Sequence, residues 1–237
     1  MTMTFLGEWP LRWWLILCGC VLSALIVAIG AVAQSDRSTS DPAVGEHADR
    51  ARRALAGVSV LAQRPSREDY QREAFGSAWT DATAAAGGFN GCDTRNDVLA
   101  RDLTDTRRAA VSSCPRAVVA GEFRSPYTGE FIVFRRDRRA GAVQIDHIVP
   151  LAYAWDMGAW SWSPATRMNL ANDPANLVAV DAASNLTKSD QEPGRWMPPN
   201  KGFRCQYSIQ FVTVASTYHL LLDASSATTL RKALQQC

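Results

Sequence analysis

Residues 144–150 read Gln-Ile-Asp-His-Ile-Val-Pro, residues 176–181 read Asn-Leu-Val-Ala-Val-Asp, and residues 182–188 read Ala-Ala-Ser-Asn-Leu-Thr-Lys. The first two stretches are short, apolar and rich in β-branched residues, and each predicts a strand. The third is rich in alanine and follows Asp181, whose side chain can cap the N-terminus of a helix. The order strand, strand and short helix predicts an α+β domain.

Two side chains in these stretches suit a metal ion. Asp146 offers an anionic oxygen and Asn185 a neutral one. Two protein oxygens with coordination positions left over are typical of Mg²⁺, which retains water and takes phosphate oxygens as further ligands. We therefore predict a divalent metal site at Asp146 and Asn185, with Mg²⁺ favoured and Mn²⁺ or another transition metal as the alternative.

The same stretches contain candidates for acid–base chemistry. His147 is the only side chain here that titrates near neutrality, so it is the natural general base for activating water. Asn176 has a carbonyl oxygen that can accept a hydrogen bond from one imidazole nitrogen and so fix the tautomer. His147 and Asn176 are the predicted catalytic residues.

Three cations are candidates for substrate binding. Lys188 lies three positions after Asn185 and can hold a phosphate as a point charge. Arg95 precedes the first predicted strand and Arg167 lies between the two strands, and guanidinium groups suit phosphate oxygens. For Arg95 the alternative is that it belongs to a polar loop tied by a disulfide. For Arg167 the alternative is that it anchors the insertion, residues 151–175, that separates the two predicted strands. A base, a metal and phosphate-binding groups together predict phosphodiester hydrolysis.

The order of these residues resembles that of the HNH, or ββα-metal, nucleases. His147 takes the place of the first His of that motif, Asn176 of the central Asn and Asn185 of the last His. The flanks are similar to exported proteins related to the C-terminal nuclease domain of Gmr-type modification-dependent restriction enzymes, and these flanks are Tyr127-Thr128-Gly129, Trp155, Ala171-Asn172-Asp173-Pro174, Trp196, Pro198-Pro199-Asn200 and Cys205. The resemblance covers residues 67–237 and implies a ββα-metal (HNH) core with additional helices, a short N-terminal β-hairpin and bracing disulfides.

The resemblance also implies an activity, metal-dependent endonucleolytic hydrolysis of DNA, with RNA left open as a substrate. A water deprotonated by His147 would attack a phosphorus whose oxygens touch the metal at Asp146 and Asn185. The alternative from another class is a non-catalytic, envelope-associated binding protein that retains the HNH fold. A binding protein has no need of the base, so the complete set of residues favours the enzyme.

One geometric difficulty accompanies this site. Neighbouring residues of a regular strand face opposite sides, so Asp146 and His147 serve one site only if the chain bends there. Pro150 favours an end to strand pairing close by, which permits such a bend. Taken alone, an Asp-His pair in a strand is more often ordinary structure. Asn-Leu-Thr at 185–187 also fits a glycosylation acceptor, provided that the protein follows a eukaryotic secretory route.

The N-terminal part of the chain predicts export. Residues 13–33 form an uncharged apolar run that is long enough to span a bilayer. The run ends in Ala-Val-Ala, which has the small-x-small form of a signal-peptidase site. We interpret residues 1–33 as a signal peptide or membrane anchor, with cleavage favoured, and residues 34–66 as a flexible tether. The domain is then either secreted or anchored to the cell envelope through residues 13–33.

Four cysteines follow the N-terminal segment, namely Cys92, Cys114, Cys205 and Cys237. An even number of cysteines after an export signal predicts two disulfides, for which three connectivities exist. We expect Cys92 to pair with Cys114 and Cys205 with Cys237. The four contain no Cys-x-x-Cys pair, so the sequence does not support a zinc ribbon.

The charge of the chain carries little information about a partner. A net charge of +2 over 237 residues is no overall signature of polyanion binding. The densest basic cluster is Arg-Arg-Asp-Arg-Arg at 135–139, for which binding to a nucleic-acid backbone and a solvated turn are equal alternatives. A hairpin is predicted from residues 117–123 and 131–134. The remaining apolar spacing predicts helices at 67–86, 206–222 and 227–236.

Overall fold

The computed structural model describes residues 42–137 and 140–237, and within these ranges the chain is a mixed α+β protein, as expected. The expected signal peptide or anchor at 1–33 lies outside the described residues, as do the last two arginines of the basic cluster. Among the residues that are described, no helix is both long and apolar enough to cross a membrane.

Seven α-helices and seven β-strands make up the described part of the chain. The helices are α1 (Pro42–Gly57), α2 (Thr94–Asp102), α3 (Leu151–Asp156), α4 (Pro164–Asn172), α5 (Ala182–Lys188), α6 (Arg204–Thr217) and α7 (Ala224–Leu234). The strands are β1 (Val60–Leu61), β2 (Thr104–Val111), β3 (Cys114–Arg124), β4 (Phe131–Arg135), β5 (Val143–His147), β6 (Leu177–Asp181) and β7 (Leu222–Asp223). They form three small sheets, which are a parallel β1–β7 pair, an antiparallel β2–β3–β4 sheet and an antiparallel β5–β6 pair.

Strands β5 and β6 and helix α5 are the predicted strand, strand and short helix. Val143 lies opposite Asp181 and His147 opposite Leu177, with no shift of register between these ends. Asp181 ends β6 and caps α5, because its carboxylate accepts a hydrogen bond from the backbone N–H of Ser184 at 2.7 Å. The carboxylate of Asp181 therefore stabilises the turn from the second strand into the helix.

Alternate residues of β6 are buried in two different apolar cores. Leu177 and Ala179 pack with Ile145 of β5 in a core that α2, β3 and β4 complete. Val178 and Val180 pack in a larger core, to which α1, α3, α6 and α7 contribute. Both faces of the β5–β6 pair are covered, and for this reason β6 is a continuous apolar run instead of an alternating one.

Helix α1 and strand β1 occupy most of the segment for which a flexible tether is expected. Ala48, Ala51 and Leu55 lie on one face of α1 and are buried in the larger core. Val60 then pairs with Leu222 in the parallel β1–β7 ladder. The segment is ordered because the spacing of these small apolar residues creates a helical face that the core can cover.

The prediction of a helix over residues 67–86 is wrong. The segment contains a single 3₁₀ turn, Arg72–Phe75, followed by turns and bends. Gly76 has a φ of 83° and Trp79 a φ of 58°, and both values lie in the left-handed region. A continuous right-handed helix excludes such values, so the helical spacing of apolar residues here does not produce a helix.

Strand β2 has no counterpart among the predicted elements. Its sequence, Thr-Asp-Thr-Arg-Arg-Ala-Ala-Val, has no apolar alternation, and most of its residues are exposed. Pairing with β3 holds it in place, through a register that contains irregularities. The predicted hairpin of β3 and β4 is present, but it forms part of a three-stranded sheet.

Two disulfides brace the domain, and they confirm the predicted pairing of the four cysteines. Cys92 and Cys114 connect the loop before α2 to the start of β3. Cys205 and Cys237 connect the first turn of α6 to the end of the chain. The second disulfide therefore ties the C-terminal end of the family-like region covalently to α6.

Protein made without residues 1–33 and folded under oxidising conditions should contain no free thiol, because its four cysteines are paired. Mass spectrometry after alkylation of the unreduced protein should find no alkylated cysteine. Opening Cys205–Cys237 by a double serine substitution should lower the free energy of unfolding by about 3–4 kcal/mol, as loop entropy predicts for a loop of this length. Two or more alkylated cysteines in the native protein would contradict the pairing.

Candidate active site

A cleft of about 740 Å³ is lined by strand β5, helix α5 and residues near Arg72. Asp146 and His147 line it from the end of β5, and Asn185 lines it from α5. Strand pairing stays regular through His147, so the β5–β6 ladder contains no bend between Asp146 and His147. Both residues nevertheless border the cleft, His147 as the last residue of β5 and Asp146 as the residue before it.

Asp146 is held at one of its two carboxylate oxygens. The hydroxyl of Tyr127 donates to Oδ2 at 2.5 Å, and the ammonium nitrogen of Lys188 lies 2.9 Å from the same oxygen. Oδ1 takes part in neither of these contacts. Every fully buried polar side-chain atom in the described part of the chain has a hydrogen-bond partner, so an oxygen without one is not fully buried. Oδ1 is therefore the carboxylate oxygen that faces the cleft.

Lys188 is fully buried behind this carboxylate. Its exposed fraction is 0%, and its ammonium group also donates to the backbone oxygen of His147 at 2.8 Å. Lys188 thus orients Asp146 and the end of β5 from inside the protein. The sequence predicts that Lys188 binds a phosphate of the substrate. In this arrangement a phosphate in the cleft would not reach its ammonium group.

The imidazole ring of His147 is oriented by a backbone carbonyl group. Its Nε2 lies 3.0 Å from the oxygen of Ala171 in α4. This oxygen can only accept a hydrogen bond, so Nε2 carries the proton. Burial lowers the pKa of His147 to about 4, which keeps the ring neutral at pH 7. Nδ1 is then the unprotonated nitrogen that is able to accept a proton.

Asn176 supports the loop that follows β5. Its Oδ1 accepts a hydrogen bond from the backbone N–H of Val149 at 2.8 Å, and its Nδ2 donates to the backbone oxygen of Leu170 at 3.4 Å. Leu170 precedes Ala171, whose carbonyl group binds the imidazole ring. Asn176 therefore acts on His147 through the surrounding backbone, and the tautomer is fixed by Ala171 and not by the Asn176 amide.

Asn185 is oriented by a residue of β5. Its Nδ2 donates to Oε1 of Gln144 at 2.6 Å. Gln144 and Asp146 are two positions apart in the strand and therefore lie on the same face. Because the amide nitrogen of Asn185 is engaged, its Oδ1 is the atom left for a ligand in the cleft that Asn185 lines.

The other two predicted substrate-binding cations bind backbone oxygens. Arg95 donates to the carbonyl oxygen of Val143 at 2.9 Å, and burial lowers the pKa of its guanidinium group. Arg167 donates to the carbonyl oxygen of Ala74 at 2.9 Å and lies over the ring of Trp155. Neither residue lines the cleft, and both are placed to hold neighbouring segments together.

The oxygens of the cleft fit a hard divalent cation. The described residues contain no cluster of three or more His, Cys, Asp and Glu side chains, which a zinc site would require. Asp146 and Asn185 instead present one anionic and one neutral oxygen, a set that suits Mg²⁺ with further water or phosphate ligands. The ion pair with Lys188 balances the charge of Asp146, so part of the negative charge that such a cation needs must come from the substrate.

Several contacts that orient the site residues are not predicted from the sequence. Tyr127 and Gln144 orient the two predicted metal ligands, and Ala171 orients the imidazole ring. Trp79 stacks on that ring, with centroids 5.6 Å apart and an interplanar angle of 10°. Tyr127 and Ala171 belong to the flanks that resemble the family, but the sequence gives neither of them a contact. The role of Gln144 has a sequence signal, namely its period-two spacing from Asp146 in a strand.

Comparison with known proteins assigns the family. Residues 93–230 match the family described as GmrSD restriction endonucleases, C-terminal domain, and the chain belongs to this family. Membership suggests a nuclease-type hydrolase. A relative that is 35% identical over 192 residues, which are 80% of this chain and 86% of the relative, is an uncharacterized secreted protein of Arthroderma benhamiae. No solved structure matches the chain.

Proposed function

We propose that this chain is an exported, metal-dependent endonuclease of the HNH type that hydrolyses phosphodiester bonds of DNA, with His147 as its general base. The observation that carries the proposal is the common cleft of Asp146, His147 and Asn185. It brings a proton acceptor and two oxygens for a divalent cation to the same surface. The antiparallel β5–β6 pair followed directly by α5 supports assigning a ββα-metal core to this part of the fold.

His147 accepts a proton from the attacking water at Nδ1. Its Nε2–H remains bound to Ala171, so the ring keeps its orientation while it changes charge. A pKa of about 4 makes the free ring a weak base. A phosphate group that enters the cleft brings negative charge next to the ring, and this favours the protonated form during the reaction.

Asp146 and Asn185 would hold a divalent cation, Mg²⁺ by the chemistry of their oxygens, through the atoms that Tyr127, Lys188 and Gln144 leave open. When bound, such an ion supplies electrostatic stabilisation of the charge that develops on the phosphate. The three neighbours keep both oxygens in place before the substrate arrives, which limits the reorganisation needed during the reaction.

Export is supported by features from separate parts of the chain. Residues 13–33 are an uncharged apolar run, and the two disulfides suit an oxidising compartment. The relative from Arthroderma benhamiae carries the description of a secreted protein. Fractionation of expressing cells, with detection of the C-terminal domain, tests whether the protein leaves the cytoplasm and whether residues 1–33 are removed.

Digestion of supercoiled plasmid by the purified domain tests the activity. Nicked and linear products should appear with Mg²⁺, and EDTA should abolish them. Parallel reactions with single-stranded DNA and with RNA of the same sequence define the substrate class. Intact plasmid at enzyme excess, with Mg²⁺ or Mn²⁺ present, would contradict the proposed function.

Substitutions of Asn185 should change the metal dependence of cleavage. Asn185→Ala should raise the metal concentration needed for half-maximal activity, because one of two protein oxygens is removed. Asn185→Asp should retain metal binding, since it keeps an oxygen at the same reach. Asn185→His should shift preference towards softer transition metals, because imidazole replaces a hard oxygen ligand.

The matched control for Asn185 is Thr187→Ala, on an exposed position of the same helix outside the cleft. Its metal titration should coincide with that of the wild type. Overlapping titration curves for the wild type and Asn185→Ala would contradict the ligand assignment and leave Asn185 as a helix-surface residue.

A further inference from the structure

A second cavity, of about 230 Å³, shares Arg72, His147 and Leu151 with the active-site cleft. The rings of Phe75 and Trp79 contribute to its lining, which is largely apolar. Cavities of this type bind flat, mainly apolar groups, and a few polar groups at the edge set their orientation. In a nuclease the group of this chemistry that lies next to the scissile phosphate is a nucleobase.

Arg72 is the cation that borders both cavities. It is exposed, and none of the salt bridges between described residues includes it. The other three candidate cations are engaged with Asp146 or with backbone oxygens. Arg72 is therefore better placed than these to bind a phosphate beside His147.

Trp79 is held in an unusual backbone conformation beside the smaller cavity. Its φ of 58° lies in the left-handed region, which a bulky side chain seldom adopts. The backbone N–H of Thr94 donates to its carbonyl oxygen at 3.2 Å and helps to retain this conformation. The indole is half-buried, and it stacks on His147 while it borders the cavity. Such strain persists where the surrounding structure holds it, and it is commonly found at functional sites.

We propose that Arg72 and Trp79 form a nucleotide-binding subsite, in which Arg72 binds a backbone phosphate in the cleft and the smaller cavity receives the adjoining base against Trp79. The subsite rests on the proposed function and names how its substrate is held. Glu73 lines only the smaller cavity of the two, and its negative charge disfavours a phosphate there. Both subsite residues precede residue 93, so they lie outside the part of the chain that matches the family.

The test measures binding without cleavage, in EDTA, so it does not depend on catalysis. The probes are a fluorescein-labelled single-stranded oligodeoxynucleotide and the same oligonucleotide with abasic residues throughout its central part. Fluorescence anisotropy gives a dissociation constant for each probe over a series of salt concentrations. Arg72→Ala should weaken binding of both probes and reduce the slope of log K against log salt by about 0.7, since one phosphate contact to a single strand is lost.

Trp79→Leu should weaken binding of the intact probe by about 5- to 100-fold, as is typical for loss of one stacked base. It should leave binding of the abasic probe at the wild-type value. Trp79→Phe retains an aromatic ring and should preserve most of the preference for the intact probe. Arg53→Ala, on an exposed arginine of α1 that lines neither cavity, is the matched control and should match the wild type with both probes.

The outcomes separate the subsite from the activity. Wild-type binding that does not distinguish the probes, or equal losses for both probes in Trp79→Leu, would overturn the base-binding cavity. An unchanged salt slope in Arg72→Ala would overturn the phosphate contact. The predicted pattern of binding in a protein that fails to cleave plasmid would support the subsite and contradict the proposed function. Thermal melting of each variant identifies a loss of fold. If Trp79→Leu does not fold, the base contact is judged from Trp79→Phe, by whether this variant still prefers the intact probe.

Discussion

His147→Ala should lower the rate of plasmid cleavage by about 10²–10⁴-fold while the protein remains folded and binds DNA, because only the proton acceptor is removed. The ring is neutral, its Nε2–H is held by Ala171, and its Nδ1 is available. Rates measured under single-turnover conditions with saturating Mg²⁺ isolate the chemical step. Added imidazole should restore part of the rate, since the substitution leaves space beside the 230 Å³ cavity.

The matched control for His147 is His47→Ala, on an exposed residue of α1 far along the chain from the motif. It should cleave at the wild-type rate. Near-full activity of a folded His147→Ala variant would remove the mechanism. If Asp146→Ala and His147→Ala show the same dependence of cleavage on metal concentration, Asp146 and His147 do not have the separate roles of ligand and base.

Lys188→Met should lower the free energy of unfolding by about 3–5 kcal/mol, the usual effect of removing one partner from a buried ion pair. The ammonium group has an exposed fraction of 0% and lies 2.9 Å from Asp146. Its loss leaves a largely buried carboxylate without its cation and also removes the hydrogen bond to the backbone oxygen of His147. Urea denaturation followed by tryptophan fluorescence measures the change.

A double variant identifies the cause of this loss. Adding Asp146→Asn to Lys188→Met removes the unpaired charge, so the double variant should be more stable than Lys188→Met alone. Lys201→Met, on an exposed lysine, is the matched control and should stay within about 0.5 kcal/mol of the wild type. If Lys188→Met has an equally small effect, Lys188 does not stabilise the domain through Asp146.

The sequence determines the centre of the fold because its local signals agree. The two apolar runs form a pair buried on both faces, and Asp181 caps the helix that follows. The predicted export signal and the even cysteine count point to two disulfides, and the structure contains both. The same short motif also contains Asp146, His147 and Asn185, which border the cleft. These features depend on neighbours in the chain, and a pattern of residues records them directly.

Tertiary structure decides which atoms remain free for chemistry, since this depends on contacts between distant segments. Lys188 has the chemistry of a phosphate ligand in the sequence, but it is buried against Asp146, 42 positions earlier in the chain. Ala171 orients the imidazole ring through a carbonyl group, which every residue possesses and which no sequence pattern marks. Arg72 reaches the cleft from a segment whose helical spacing is misleading, because left-handed backbone at Gly76 and Trp79 turns the chain. Side-chain type can be read from the sequence, whereas burial and hydrogen-bond partners are set only when remote parts of the chain pack together.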